Sequence, residues 1–394
     1  MDTVTRFDPR ISGLSQQVKD LHDPQLVYMA KARDVRAEYI DGALHLYRHE
    51  DILAVNKHPD VLGNGGRGGS FGHDGRLIPL EIDGPDHRKW RRVLDPMFSP
   101  KRVGLMEEQI RELARGILEG VRADGGGDLN DLLCTPLPCQ TFLSLVGAPL
   151  EDLEFFLEFK EGIIHPKGET TEEIDANMAV AGGKLLEYFD TFLKEKRTRL
   201  DEYDDVIANL MRAEFDGEPI NEFDLINVLF LLLFAGLDTV TASLSCILAW
   251  FGKNPDRRAE LVTEPDLLRV AIEELVRFES PVPSGMRYPQ TDIDLGDGLI
   301  VPADTQVNAF WAAANVDPTY HADPLRVDFH REKLSHMAFA SGIHRCIGSH
   351  LARLELKVAV GETLRILPEY DLDLSALTYD NVAVRTATSI PVSV

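Results

Sequence analysis

Cysteine is scarce in this chain of 394 residues, which has only four, at positions 134, 139, 246 and 346. They form no C-x-x-C pair, and so low a density excludes the disulfide frameworks of small secreted proteins. We therefore expect reduced thiols. A cysteine with a special role has to be identified from the residues around it.

Basic residues are also few, since 41 Lys and Arg stand against 65 Asp and Glu, for a formal net charge of -24. This balance argues against nonspecific binding to nucleic acid or to anionic membranes. The first ten residues contain no apolar run typical of a signal peptide or anchor, and the C-terminus carries no lipidation signal. We therefore expect a cytoplasmic protein.

The sequence has one long hydrophobic run, from Val228 to Phe251, in which Asp238 is the only charged residue. As a helix it would span roughly 36 Å, which is enough to cross a bilayer. A carboxylate at the centre of a lipid-exposed helix costs about 2.5–3.5 kcal/mol, however, and amphipathic helical patterns flank the run. We interpret it as the central buried helix of an α-rich domain.

Internal repeats and low-complexity tracts are absent, so the sequence predicts a single domain over residues 1–394, mostly α with small β-sheets. The clearest strand signal is a hairpin, with Asp41-Gly42 as a primed turn between Ala37 and Tyr47. A segment from about 163 to 177 has the composition of a mobile connection and is a candidate lid. The β-rich portions are expected at about 35–50, 285–310 and 381–394, and helices at 86–98, 182–199, 221–250, 265–278 and 347–366.

The strongest local signal is the run Phe339-Ala340-Ser341-Gly342-Ile343-His344-Arg345-Cys346-Ile347-Gly348, which leads into a predicted helix. At a helix start, the macrodipole and unpaired N–H groups favour a thiolate, and Gly342 and Gly348 let the backbone approach a flat ligand. A thiolate at Cys346 would suit haem iron. Without such context, a lone cysteine is more often a small buried apolar residue.

A second signal, Ala235-Gly236-Leu237-Asp238-Thr239, lies inside the long apolar run. An acid beside a hydroxyl, after two small residues, suits the delivery of protons to a buried reaction. A kink or a capped helix break explains the same residues about equally well.

Two further patterns are weak on their own. Glu274 and Arg277 form an E-x-x-R, and an i,i+3 ion pair is ordinary on a helix. His87 and Arg91, four residues apart on a predicted helix, share a face and can donate to one anionic group. A solvated basic face is the alternative, and it is the better explanation for Arg88 and Arg92.

Together these motifs resemble the cytochrome P-450 family, whose F-x-x-G-x-H-x-C-x-G signature matches residues 339–348 and also lies near the C-terminus. The Asp-Thr motif, the E-x-x-R and the cysteine loop follow in the family's order, and residues 30–394 are covered. The Asp-Thr segment is similar to that of bacterial camphor and terpenoid hydroxylases. The resemblance implies a cytochrome P-450 fold and a haem-dependent monooxygenase. Ala340 departs from the pattern, since this position is often Gly.

The resemblance also implies roles for individual residues. Cys346 would be the axial thiolate ligand of haem b, and Asp238 and Thr239 would deliver protons. The remaining cofactor contacts would be Phe339 beside the sulfur, Gly348 in the loop, and His87, Arg91, Arg287 and His344 at the haem propionates. Glu274, Arg277 and Arg331 would form a structural salt-bridge cluster. The substrate pocket would be lined by Leu80, Ile163, Ile164, Leu231, Phe234, Ala235, Val282, Pro283 and Val384.

These pocket residues are nearly all apolar, which predicts a compact hydrophobic substrate such as a terpenoid, a norisoprenoid or a branched aliphatic. The loop from Gly63 to Pro79 lacks the tyrosine that binds the substrate ketone in camphor hydroxylation, so a camphor enzyme is not expected. The chain holds no flavin or nicotinamide module. Electrons are therefore expected from a 2Fe-2S ferredoxin and its NAD(P)H-dependent reductase, docked on a basic proximal face formed by Arg88, Lys89, Arg92, Lys101, Arg102, Arg345 and Arg353.

Two alternatives stay open at this point. One is a peroxide-driven haem-thiolate peroxygenase, which needs no electron donor but usually lacks the acid-alcohol pair. The other is a noncatalytic haem-binding or ligand-binding protein on the same scaffold, against which an intact Asp238-Thr239 argues.

Overall fold

The structure is a computed structural model that describes residues 13–63, 75–164, 166–168 and 170–394. Most of the Gly63–Pro79 loop therefore lies outside the described residues. The α-helices found there are α1 Gly13–Val18, α2 Gln25–Asp34, α3 His49–Lys57, α4 Gly84–Leu94, α5 Pro100–Val103, α6 Glu107–Ala123, α7 Pro136–Val146, α8 Leu153–Ile164, α9 Thr171–Thr198, α10 Val206–Arg212, α11 Glu222–Lys253, α12 Pro255–Thr263, α13 Leu268–Glu279, α14 Trp311–Asn315 and α15 Ser349–Ile366.

The strands are short and lie in small sheets. A five-stranded sheet has the order β1-β2-β10-β7-β3, a three-stranded sheet the order β11-β14-β4, and the other strands pair as β12-β13, β5-β6 and β8-β9. Their bounds are β1 Ala37–Ile40, β2 Ala43–Leu46, β3 Val61–Leu62, β4 Gly126–Asp128, β5 Glu214–Phe215, β6 Glu218–Pro219, β7 Gly285–Pro289, β8 Ile293–Asp294, β9 Ile300–Val301, β10 Val307–Ala309, β11 Asp371–Leu372, β12 Thr378–Asp380, β13 Thr386–Ser389 and β14 Pro391–Ser393. The predicted mostly helical fold with small sheets is confirmed.

The predicted hairpin is β1 and β2, paired antiparallel with Ile40 opposite Ala43. Asp41 and Gly42 have φ angles of 51° and 81°. Both central residues of the turn are left-handed, as a type I′ turn requires. This turn type suits a hairpin because its backbone twist matches the twist of the two strands. Strand β2 also pairs in parallel with β10, and β10 pairs antiparallel with β7, the strand that carries Arg287. The N-terminal hairpin therefore lies in the same sheet as Arg287.

Helix α11 is the central element of the core. Its first turn is capped by the Asn221 side chain, which accepts a hydrogen bond from the Asp224 N–H. It is the one helix among the described residues long and apolar enough to span a membrane, and 72% of its most apolar stretch is buried inside the protein. The apolar run is therefore a core helix, around which α7, α13 and α15 pack.

The boundaries of the candidate lid differ from the prediction. Helix α8 continues to Ile164 and α9 begins at Thr171, so the connection is much shorter than residues 163–177. The cause is a capping box: the Thr170 side chain accepts from the Glu173 N–H, and Glu173 accepts from the Thr170 N–H. This pair satisfies two N–H groups at the helix start and begins α9 eleven residues earlier than expected.

The E-x-x-R residues lie in a buried ion cluster. Glu274 is fully buried, and its carboxylate accepts hydrogen bonds from both Nε and Nη2 of Arg277 at 2.8 Å. Arg331 donates its Nε to the same carboxylate at 2.8 Å, and Arg277 also donates to the Asn315 and Pro324 carbonyls. The cluster therefore ties α13 to α14 and to the segment that precedes the cysteine loop.

Candidate active site

A cavity opens between α4, α7, α11, α15 and the cysteine loop. With its mouth, it holds about 1420 Å³ of space free of protein atoms. Apolar side chains form most of the wall, and the polar residues include Thr239 and Ser243 on α11 and Glu355 on α15. His87, Arg91, Trp311 and His344 add further polar groups.

The cysteine loop folds tightly and presents Cys346 to this cavity. The Cys346 N–H donates to the Phe339 carbonyl at 3.0 Å, and the Arg345 N–H donates to that of Gly342 at 3.2 Å. Gly342 has a φ of 77°, and a Cβ there would lie 1.9 Å from the Asn56 carbonyl oxygen. Only glycine fits at this point, because both the backbone conformation and the space exclude a side chain. Ala340 is also left-handed, with a φ of 54°.

Cys346 is exposed, in contrast to the other three cysteines. It is nevertheless surrounded by protein, because its open surface faces the cavity. Burial raises the pKa of the Cys346 thiol, while the Gly348 N–H and the cations Arg91, Arg353 and Arg345 lower it. Burial therefore outweighs the combined effect of the Gly348 N–H and these cations on the pKa of the Cys346 thiol. A bound cation would produce a thiolate, because metal coordination deprotonates a thiol.

The other cysteines are buried inside apolar surroundings. Burial raises the pKa of Cys139 and of Cys246 to about 12, and it raises that of Cys134 well above the usual value of a thiol. None of the three lines the cavity. They behave as small apolar core residues, which leaves Cys346 as the cysteine available to a ligand.

One end of the cavity is polar and carries the predicted propionate contacts. The rings of His87 and His344 lie 4.2 Å apart, and His344 Nε2 lies 2.8 Å from Asp83 Oδ1. The same Asp83 oxygen accepts from the Gly63 N–H at 2.7 Å. His87 Nδ1 is buried and has no hydrogen-bond partner in the described part of the chain, and burial lowers the pKa of His87 to about 4. His87 is therefore neutral at neutral pH.

Two arginines complete this polar end. Arg91 donates to the Arg345 carbonyl and to Asp95, both at 2.7 Å, and so holds α4 against the cysteine loop. Arg287 on β7 is buried, and burial lowers its pKa to about 10. Among the described residues it forms no salt bridge, and its Nη1 donates to the Met286 carbonyl.

This chemistry fits a haem. Arg287 feels the charge of Asp83 but forms no salt bridge with a described residue. A buried guanidinium without a salt bridge and a buried unpartnered imidazole nitrogen are costly unless an anionic group arrives to accept from them. The two carboxylates at the edge of a haem are such groups, and Cys346 would be the residue at this cavity able to supply a thiolate.

The acid and the alcohol of the second motif face different surroundings. Thr239 lines the cavity and donates its hydroxyl to the Ala235 carbonyl at 2.7 Å. Asp238 is buried and lies 3.6 Å from the Lys160 ammonium of α8. Helix α11 continues through both residues, so the alternative of a capped helix break is wrong.

The predicted pocket residues divide into two groups. Leu80, Leu231, Ala235 and Val282 line the cavity. Ile163, Phe234, Pro283 and Val384 do not, and the Ile164 side chain lies outside the described part. Phe234 instead packs, partly buried, against the hydrophobic core, whereas its neighbour Ala235 lines the cavity.

Several lining residues had no signal in the sequence. Phe98 reaches the cavity from the turn after α4, Pro138 and Phe142 from α7, and Trp311 from α14, and Glu355 lies about two turns into α15. Burial raises the pKa of Glu355 well above its usual range. Its Oε2 is buried and has no hydrogen-bond partner in the described part of the chain.

Comparisons with known proteins show the family of the chain. The family model for Cytochrome P450 matches residues 170–374. The chain is similar to a Vitamin D(3) 25-hydroxylase of Pseudonocardia autotrophica, at 32% identity over 317 residues, which cover 79% of this chain and 76% of that protein. It is also similar to Cytochrome P450 monooxygenase PikC of Streptomyces venezuelae, at 31% identity over 320 residues, which cover 79% and 75%.

Solved structures show the same likeness. A mutant of P450 EryK in complex with erythromycin B has a TM-score of 0.82 at 27% identity, covering 94% of this chain and 95% of that chain. CYP109E1 from Bacillus megaterium in complex with corticosterone has a TM-score of 0.85 at 26% identity, covering 94% and 98%. The family implies a haem held by a cysteine thiolate, a small-molecule substrate and redox partners. In this chain the Cys346 thiol is open to a cavity. The family model and these relatives show that the chain belongs to the cytochrome P450 family and is a P450 monooxygenase.

Proposed function

We propose that Cys346 is the axial ligand of a haem b and that the protein inserts one oxygen atom of O2 into a compact hydrophobic substrate. The observation that supports this most strongly is the opening of Cys346 onto a cavity whose wall also carries Thr239 and apolar side chains. Haem held by a thiolate supplies the activation of dioxygen.

The residues of the chain bind the substrate and manage protons. Leu231, Ala235 and Val282 exclude water and orient an apolar molecule by shape. Thr239 holds a proton on Oγ1 at the cavity wall, and Asp238 stands on the adjacent face of α11 against Lys160. In this proposal a proton reaches Asp238 from outside the cavity and then passes through water to the part of the cavity that Thr239 lines.

The polar end of the cavity would hold the cofactor. Arg287 and Arg91 supply positive charge for its two carboxylates, and His87 supplies a neutral ring nitrogen. Guanidinium groups suit this task because they bind carboxylates in a fixed fork geometry.

The substrate class is tested by a spectral binding screen. Terpenoids, norisoprenoids and branched aliphatics are compared with vitamin D3 and corticosterone, which are named for the similar proteins. Displacement of iron-bound water shifts the ferric Soret band, and we expect the tightest binding from a compact ligand. Ala235→Val should weaken the largest ligands first, whereas Ala259→Val, on the exposed face of α12, should change none. Tighter binding of the large ligands would overturn the compact class.

We further propose a 2Fe-2S ferredoxin, reduced by an NAD(P)H-dependent reductase, as electron donor in the cytoplasm. Three of the predicted basic residues are neutralised: Lys89 by Asp216, Arg102 by Asp204 and Arg353 by Glu273. The other four of the seven predicted basic residues form no ion pair with a described residue, and these are Arg88, Arg92, Lys101 and Arg345. These four support docking of an acidic partner beside the cysteine loop.

The donor is tested by turnover with reconstituted ferredoxin and reductase at several salt concentrations. Arg92→Gln should lower the second-order rate and flatten its salt dependence, whereas the already paired Lys89→Gln should do so much less. Turnover with hydrogen peroxide but none with any ferredoxin would instead establish a peroxygenase.

A further inference from the structure

We propose that Trp311 is a further cofactor-positioning residue, whose indole N–H donates a hydrogen bond to a carboxylate of the haem edge. The inference rests on the proposed haem site. Neither the sequence motifs nor the comparisons assign any role to this residue.

The first observation is a buried donor that has nothing to donate to. Trp311 begins α14, directly after β10, and is 9% exposed. It contributes to the cavity wall, yet Nε1 has no acceptor among the described residues. Buried indole N–H groups usually have a partner, and an unmade bond there is costly.

The second observation places Trp311 at the polar end of the cavity. The Arg287 guanidinium lies 5.7 Å from the centre of its ring. Arg287 is itself buried, without a salt bridge to any described residue. The Arg287 Nη1 donates to the Met286 carbonyl and the guanidinium feels the charge of Asp83, whereas the indole N–H has no acceptor among the described residues. A carboxylate that accepted from the indole N–H would also face the Arg287 charge, which suits a cation and an N–H donor that lie side by side.

The third observation is the space made for the indole. Strand β7 pairs with β10, with Gly285 opposite Ala309. A Cβ on Gly285 would lie 2.4 Å from Cη2 of Trp311. Glycine at 285 therefore lets this large ring lie against the strand that carries Arg287, whereas any side chain at 285 would displace it.

The test compares Trp311→Phe with the unaltered holoenzyme. Phenylalanine keeps an aromatic ring beside Arg287, but it removes the indole N–H and leaves a smaller ring. We expect haem transfer to excess apomyoglobin to become about tenfold faster, since hydrogen bonds to charged groups are among the stronger ones. Ultraviolet resonance Raman should show a hydrogen-bonded indole that is lost in Trp311→Phe. Trp250→Phe, which lies outside the cavity wall, is the control and should change neither haem transfer nor that signal.

A second variant separates bonding from packing. Gly285→Ala should displace the indole and speed haem transfer similarly, and the double variant with Trp311→Phe should add little. An unchanged transfer rate and indole signal in Trp311→Phe would overturn the inference. Weaker binding of carboxylate-bearing substrates with normal haem transfer would also overturn it, since the acceptor would then belong to the substrate. Every variant should keep the ferrous-carbonyl spectrum of a thiolate haem, whereas its absence in the unaltered protein would refute the proposed function itself.

Discussion

The Asp238 carboxylate lies 3.6 Å from the Lys160 ammonium, although the next residue, Thr239, lines the cavity. Because consecutive residues on a helix are turned by about 100°, the acid and the alcohol face two different surroundings. The ion pair joins α11 to α8, so the acid is held by a helix outside the cavity wall.

Replacing Asp238 by Asn should slow turnover at saturating substrate by roughly 100-fold, because general acid catalysis contributes about 10²–10⁴. The solvent deuterium isotope effect on turnover should rise as proton delivery becomes limiting. Asp224→Asn, at the exposed start of the same helix, is the control and should leave both unchanged. Normal turnover in Asp238→Asn would contradict the proton-delivery role.

Cys346→Ser should bind haem weakly and lose the ferrous-carbonyl spectrum of a thiolate-ligated haem, because a serine hydroxyl is not deprotonated as a thiol is. Cys139→Ala removes a buried thiol outside the cavity and should keep that spectrum. A normal spectrum in Cys346→Ser would refute the ligand assignment.

Glu274→Gln should lower the free energy of unfolding by about 3–5 kcal/mol, because it leaves the buried Arg277 and the partly buried Arg331 without their counter-charge. Glu260→Gln, which removes a partly exposed i,i+3 pair with Arg257, should cost less than about 1 kcal/mol. Urea unfolding of the holoenzymes measures both. Equal losses of unfolding free energy in the two variants would show that burial of the cluster does not determine how much it stabilises the protein.

Ala340→Gly should raise the free energy of unfolding by roughly 0.5–1 kcal/mol, because alanine is strained at a φ of 54° and glycine is not. Gly342→Ala should do the opposite, and more strongly, since its Cβ would overlap the Asn56 carbonyl. The two variants serve as each other's control in urea unfolding. A destabilised Ala340→Gly would show that the loop tolerates alanine without strain.

Acid should destabilise the protein through two buried histidines away from the cavity. Burial lowers the pKa of His49 to about 4 and that of His321 to about 3. Since the unfolded chain takes up protons below about pH 6.5 that the folded protein does not, stability should be full above that pH and fall towards pH 4. Urea unfolding between pH 7 and pH 5 should show this slope. His321→Asn should reduce it by up to about 1.4 kcal/mol per pH unit, and an unchanged slope would exclude His321 as a contributor.

The sequence predicted most of the elements that have strong local signals. The Asp41-Gly42 turn, the capped start of α11 and the tight loop before Cys346 are determined by neighbouring residues, and all were found at or near their predicted places. The capping box at Thr170 was equally local and was overlooked, which is why α9 began too late in the prediction.

Contacts between distant segments could not be predicted from one sequence. Nothing near Lys160 indicates that it reaches Asp238, and nothing near Gly285 indicates that Trp311 fills the space beside it. The residues around Phe142 indicate only an apolar helix and not that this side chain lines a cavity. Such pairings arise from the packing of whole elements, so only the structure reveals which apolar residues line the cavity.

Gly63 limits how this protein can be altered for new substrates. The Cβ of any side chain at position 63 would lie 2.3 Å from Nε2 of the His344 ring. This ring and the Gly63 N–H also form hydrogen bonds with the same Asp83 carboxylate. Randomised libraries aimed at substrate scope can vary Leu80, Leu231 or Val282 freely, but a library that includes position 63 would lose members through a damaged cofactor pocket. Screens would then record failed haem incorporation as poor substrate acceptance.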